Sequence, residues 1–276
     1  MRSSVVRLVP LEAHTPSPQP HSTEWSVLIC LLGPFRLLKL GHPITVGGGG
    51  KTEALLTHLA LHPNRPTSRC DLLHLLWPDQ DSALAGQSLN SLVYALRKRL
   101  SDALGGAAPI LNTDGAYWLN TEAGVGTDLA IFDSLVQQGD QQARQGQAVA
   151  AAEVYRRALD LYRGGLDANG DLGALVERER LHVRYLTLLA RLAEHAFGRR
   201  DYSDALDHAW RLLALDPCRE DAHRLVMQCY VRLGERAQAL HQFRLCADLL
   251  RAEFDAAPEL ATVALFDRIR QTPEHV

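Results

Sequence analysis

Four glycines, Gly47 to Gly50, followed by Lys51-Thr52 are the first residues in this chain whose types suggest chemistry. A glycine-rich turn ending in Gly-Lys-Thr can gather backbone N–H groups around phosphate oxygens, with the lysine on the outer phosphates. Such a loop needs another glycine five residues before Gly50, where Thr45 stands. It also needs a second strand ending in an aspartate for magnesium. The only tempting run, "LLALD" at 212–216, sits in a helical pattern closed by Pro217. The glycines therefore read as a mobile connection from a strand to a first helix.

A second constellation is better formed. In "GQSLNSLVYALRKRLSDAL", Leu89, Val93, Leu96 and Leu100 recur every three to four residues and should face a core. Gln87, Asn90, Ser91, Tyr94, Arg97 and Lys98 fall on the other side. Amide, hydroxyl, phenol and guanidinium groups on one helix face suit a DNA major groove, where Asn or Gln can read adenine and Arg can read guanine. Arg97, Lys98 and Arg99 would reach phosphates near the C-terminal end of that helix. Taken alone, the same face also fits a merely solvated amphipathic helix.

Other chemistries find little support. Among twelve histidines, His58 and His62 are four apart, but no Glu stands at HExxH spacing and Pro63 ends the helix, so no metal site is expected. Five cysteines, Cys30, Cys70, Cys218, Cys229 and Cys246, form no CxxC pair, which points to reduced thiols in a cytoplasm, with neither disulfide nor zinc. No Gly-x-Ser-x-Gly elbow or isolated carboxylate pair appears, so no catalytic residue and no cofactor are assigned. Trp210, Tyr202 and Phe243 fit core packing between helices better than a ligand cage.

The elements around the polar helix give it a context. "SVLICLLG", "FRLLKL" and "ITV", with Gly41-His42-Pro43 as a turn, read as a small antiparallel sheet. "KTEALLTHLALH" is a first helix. Thr67 or Ser68 caps a second, "SRCDLLHLLW", with Asp71 placed as in a capping box and Trp77-Pro78 as the stop. The third helix spans about 82–104. "ILNTDGAYWLN" follows as two strands about an Asp114-Gly115 turn. This is the order of an α+β winged helix-turn-helix with an extra N-terminal sheet.

From residue 128 onward the period is helical throughout. "YSDALDHAWRLLALDP" and "RAQALHQFRLCADLLR" superpose at an offset of 34, pairing Ala205 with Ala239, Leu206 with Leu240 and Ala209 with Phe243. A weaker copy holds Ala151, Tyr155, Ala158 and Leu159. That period predicts an all-α, tetratricopeptide-like helical repeat.

Of 276 residues 46% are hydrophobic, enough for two cores, and no apolar run is long enough to span a membrane. Residues 1–25 read as a disordered leader without a signal peptide. The net charge of −3 divides into 8 Lys plus Arg against 7 acids over 25–127, and 19 Arg with no Lys against 23 acids over 128–276. Any nucleic-acid contact must therefore come from local clustering rather than from bulk charge.

"LLGPFRLLKLGHPITVGGGGKTEALLTHLALHPNRPTSRCDLLHLLWPD", "LNSLVYALRKRLSDAL" and "ILNTDGAYWL" together resemble the DNA-binding domain of the Streptomyces antibiotic regulatory protein (SARP) family, a response-regulator-type winged helix. "DLAIFDSLVQQG" through "FDRIR" resembles that family's bacterial transcriptional activation domain. The resemblance covers 27–270, with "LALHPNRP", "LLWPD" and the wing at Gly115 to Leu119 its most telling pieces. It implies a winged-helix domain over 26–122 and a tetratricopeptide-like activation domain over 128–272. It also implies a transcription activator that binds promoter repeats in double-stranded DNA as paired protomers and recruits RNA polymerase with its sigma factor. The recognition-helix role would fall on Gln87, Asn90, Ser91, Tyr94, Arg97 and Lys98, and the wing role on Asn112, Thr113, Asp114 and Tyr117. Two positions depart from the family: Ala95 stands where a basic residue is usual, and the wing reads Gly115-Ala116-Tyr117 rather than Gly-Gly-Tyr. Fewer phosphate contacts would make the salt dependence shallow. The alternative, from another class, is an adaptor whose repeat groove binds a protein partner while the winged helix is only structural.

The failed glycine motif makes a direct prediction. Calorimetry of the protein with Mg-ATP is expected to show no binding heat; heat that Lys51→Ala abolishes would instead reveal a nucleotide site.

Overall fold

A computed structural model describes residues 25–45, 49–63, 65–165 and 172–271. The proposed leader, apart from Trp25, and the glycines at 47 and 48 lie outside these. β1 (Val27–Cys30) pairs antiparallel with β2 (Arg36–Lys39), and β2 with β3 (His42–Ile44). The turn between β2 and β3 falls at Leu40-Gly41, both with positive φ (49° and 80°), rather than at Gly41-His42-Pro43. Two consecutive left-handed residues close a two-residue hairpin, so the ladder resumes at His42 opposite Lys39.

Three helices follow: α1 (Gly50–Leu61), α2 (Arg69–Leu76) and α3 (Ser82–Leu100). Lys51, the lysine of the failed phosphate motif, donates its Nζ to the carbonyl of Leu76 at the end of α2, where it caps a helix terminus. α3 stops at Leu100 rather than near 104. Gly105 and Gly106, both at positive φ, then carry a compact turn in which the Gly106 N–H closes on the carbonyl of Ser101 at 2.7 Å. β5 (Ile110–Thr113) and β6 (Ala116–Leu119) form the hairpin about Asp114-Gly115. A two-residue strand, β4 (Thr67–Ser68), pairs with β6 and fastens the start of α2 to the wing.

β7 (Val125–Thr127) corrects the all-antiparallel expectation, because it adds to β1 in parallel and gives the sheet order β3-β2-β1-β7. α4 (Asp128–Arg144) starts directly from it. Its first residue, Asp128, is only 3% exposed and accepts the backbone N–H groups of Leu31 (2.8 Å) and Leu32 (3.0 Å). The N–H of Arg163 donates to the carbonyl of Leu32 at 3.1 Å.

α5 (Ala148–Leu161), α6 (Leu172–Gly198), α7 (Tyr202–Leu215), α8 (Glu220–Arg232), α9 (Arg236–Phe254) and α10 (Leu260–Gln271) complete the described chain. α4/α5, α6/α7 and α8/α9 pack as successive helix pairs, and α10 closes against α8 and α9. The repeat positions are filled as the offset requires: Ala205, Ala209 and Ala239 are fully buried, and Ala158 occupies the same slot in α5. Phe243 stacks on Phe266 at 4.1 Å, and Tyr202 meets Phe197 edge-on. Trp210 departs from the core role expected of it, being 39% exposed. His223 locks α8 to α9: its Nε2–H donates to the Pro217 carbonyl (2.9 Å), so its Nδ1 accepts from Gln242 (2.7 Å).

One apolar cluster runs from Val27 and Ile29 through Leu55, Leu89 and Leu129 to Leu189 and Val226, joining sheet, winged helix and repeat helices. Each fully buried leucine in it contributes about 2 kcal/mol of apolar burial.

The Asp128 joint carries a pH signature. Burial pushes its carboxyl up to about 6, only partly opposed by the Leu31 and Leu32 N–H groups and Arg36. An acid whose folded pKa lies above its unfolded value binds more protons when folded, so this group's contribution falls as pH rises from about 4 to about 6 and is flat above. Asp128→Ala, which leaves two buried N–H groups without acceptors, is expected to cost about 2–5 kcal/mol in urea unfolding. The variant also loses that pH segment relative to wild type.

Candidate nucleic-acid interface

The interface is built by two capped helices. The Ser68 hydroxyl accepts the Asp71 N–H at 3.1 Å and donates to the Asp71 carboxylate at 2.7 Å, which sets the first turn of α2. The Asp81 carboxylate caps α3 through Ala83 N (2.9 Å) and Leu84 N (3.4 Å). α3 buries Ala85, Gly86, Leu89, Leu96 and Leu100. Because side chains three and four apart share a helix face, this leaves Gln87, Asn90, Ser91, Tyr94, Arg97 and Lys98 as one exposed stripe. Tyr94, at the centre of this stripe, is 69% exposed. Ser91 donates its hydroxyl to the Gln87 carbonyl one turn back (3.0 Å) and keeps its lone pairs for an outside donor.

Arg99 is placed differently from Arg97 and Lys98. Its Nη2 donates to the Thr45 carbonyl (2.9 Å), and its own carbonyl accepts from Lys39, which also pairs with Asp102 at 2.7 Å. Arg99 thus ties the end of α3 to the N-terminal sheet, on another side of the helix from the stripe.

In the wing, Asn112, Thr113 and Asp114 are exposed at the tip. Tyr117 is not available for DNA: it is 2% exposed, because the two-residue period of β6 turns residues 117 and 119 inward and 116 and 118 outward. Its hydroxyl accepts from Arg69 Nη1 at 2.9 Å. Arg69 is the residue the sequence reading missed. The same Nη1 donates to Asn90 Oδ1 and Nη2 to the Gly86 carbonyl, each at 2.9 Å. A signal was present, since a basic residue in the first turn of a helix opposes the helix dipole and needs another reason to be there.

The repeat half disposes of its arginines differently. Arg180 forks onto Asp133 (3.0 Å through both nitrogens), Arg184 joins the same carboxylate at 2.7 Å, and Arg224 reaches Glu259 at 3.1 Å. The planar bidentate Arg180–Asp133 pairing between α6 and α4 suits arginine over lysine. A cavity of about 700 Å³ between α4, α5 and α6 is lined by Asp140, Arg144, Ala151, Tyr155, Arg191 and His195, among others. Arg191 there already binds Asp140 and the Tyr155 hydroxyl, so much of its charge is met within the wall. Burial holds Cys30 and Cys246 up at about 12 and Cys229 at about 11, unsuited to thiolate chemistry. Among the described residues no group of three or more His, Cys, Asp or Glu could hold a metal, and no helix is long and apolar enough to cross a membrane.

Comparison with known proteins agrees with this layout. Residues 127–270 match the bacterial transcriptional activator domain, and residues 45–115 match the C-terminal domain of transcriptional regulatory proteins. The regulatory protein AfsR of Streptomyces coelicolor is 28% identical over 243 residues, which is 87% of this chain but 24% of AfsR. The regulatory protein DnrI of Streptomyces peucetius is 27% identical over 201 residues, 70% of this chain and 74% of DnrI. The solved structure of Mycobacterium tuberculosis EmbR, in complex with a low-affinity phosphopeptide, has the same fold with a TM-score of 0.75 at 24% identity, covering 90% of this chain and 66% of that one. With a winged helix-turn-helix ahead of an activator domain that fills half the sequence, and with relatives that are regulatory proteins, the chain belongs to the SARP family of transcriptional activators.

Proposed function

We propose that this chain is a non-enzymatic activator of the cytoplasm. Its residues 26–122 bind promoter DNA, and its residues 128–272 pair protomers and engage RNA polymerase with its sigma factor. The observation that carries the reading is the continuous exposed stripe on α3, in which Asn90 alone bonds to another element, through Arg69 of α2. On this reading Gln87, Asn90, Ser91 and Tyr94 meet base edges, Arg97 and Lys98 hold phosphates near the end of α3, and Asn112, Thr113 and Asp114 contact the backbone from the wing. Arg99 and Tyr117 serve the same surface from behind, one by anchoring α3 to the sheet and the other by anchoring the wing to Arg69. Ala95 is exposed and offers no charge, so few phosphates are neutralised.

Selection of genomic fragments by the purified protein tests this, followed by titration of the selected site at two salt concentrations. A shared repeated motif is expected. Arg97→Ala/Lys98→Ala weakens binding across sequences and lowers the log–log salt slope by about 2, at ~0.9 per lost phosphate contact. A folded protein that enriches no motif would favour an adaptor role for the repeat half.

A further inference from the structure

Leu84 stands in the first turn of α3 and is 61% exposed, although the other leucines of that helix, Leu89, Leu92, Leu96 and Leu100, are buried or half-buried. Single exposed leucines are common on protein surfaces, so exposure alone means little. Its register is more informative. Leu84, Gln87, Ser91, Tyr94 and Lys98 follow one another at spacings of three, four, three and four, which keeps them on one helix face. Leu84 is therefore the N-terminal end of the same stripe. Helical side chains lean toward the N-terminus, and a helix seated in a major groove brings its N-terminal residues to the base edges. The backbone there is set in advance: the Asp81 carboxylate takes the N–H groups of Ala83 and Leu84, and the Ser88 hydroxyl donates to the Leu84 carbonyl at 3.1 Å.

We infer that Leu84 is a specificity-determining residue of the DNA interface, packing on the 5-methyl group of a thymine and favouring thymine over cytosine at that position. The inference rests on the DNA-binding reading above and extends its contacts one turn beyond Gln87. Leucine has neither donor nor acceptor, and the apolar group that a base edge offers it in the major groove is the thymine methyl. Cytosine carries only a hydrogen there and sets its N4 amino group beside it, which leucine cannot pair. Covering one methyl corresponds to about fourfold in affinity.

The test joins a change in the protein to a change in the DNA. Full-length wild type and Leu84→Ala each select sites from a randomised library. Leu84→Ala is expected to lose a thymine preference at one position and to keep the others, since the side chain removed is mostly exposed and alanine is the better helix former. Each thymine of the wild-type site is then exchanged in turn for uracil, which removes the methyl alone. Wild type is expected to bind one uracil site about fourfold more weakly, at the position marked by Leu84→Ala, whereas the variant binds the thymine and uracil forms of that site alike. The uracil arm needs only the unaltered protein, so it carries the test if Leu84→Ala fails to fold. Equal wild-type affinity for every uracil site overturns the inference, as does a uracil penalty that Leu84→Ala retains in full, because another residue then covers the methyl. If Leu84→Ala alters no position while the selected motif persists, the inference falls and the DNA-binding reading stands. If wild type enriches nothing, both fall together.

Discussion

The backbone at Leu31 and Leu32, where β1 ends, is buried and needs acceptors that no neighbouring residue supplies. The chain provides them far downstream, as the carboxylate of Asp128 in the first turn of α4. Unpaired buried N–H groups are costly, so the segment is stable only when α4 is in place. The Leu32 carbonyl in turn takes the N–H of Arg163 beyond α5. One short stretch therefore holds the sheet, the return strand β7 and the first helix pair of the repeats. The apolar cluster is continuous across the same junction. Everything between β1 and β7, the three helices and the wing, is an excursion from this fixed base.

The information for that base was spread across the sequence in a way local patterns do not show. The Ser68–Asp71 cap, the Asp114-Gly115 hairpin and the α3 stripe were legible because each is specified within a few residues. So were the small residues at the 34-residue offset, since a repeat compares the sequence with itself. β7 was not legible: Val-Gly-Thr, three residues with a glycine at the centre, is too short to be seen without its partner Val27, and a parallel partner can lie far away in sequence. β4 is a two-residue strand that exists only because β6 passes beside it. Tyr117 was given a wing role by the family resemblance and Arg99 a phosphate contact by its charge; strand alternation buries the first, and a contact with the Thr45 carbonyl holds the second.

Charge shows the same division of labour. The repeat half sets 19 arginines, with no lysine, against 23 acids. Several of these arginines pair with carboxylates of other helices, as Arg180 and Arg184 do with Asp133. In the winged-helix half the cations are few, and several are already engaged within the protein: Lys39 with Asp102, Lys51 with Leu76, Arg69 with Asn90. On the DNA-binding reading proposed above, bulk charge adds little to affinity, and discrimination rests on the geometry of the α3 stripe and on whatever holds it.

Gly86 illustrates what keeping it still requires. Glycine inside a helix costs about 1 kcal/mol relative to alanine. Here that cost opens the space in which the Arg69 guanidinium reaches α3 and the wing at once. The rigidity then passes outward, from wing to α3, from α3 through Arg99 to the sheet, and from the sheet through Asp128 to the repeats. The winged-helix half is thus joined to the repeat helices by the Asp128 and Arg163 bonds and by one continuous apolar cluster, and not by chain connectivity alone.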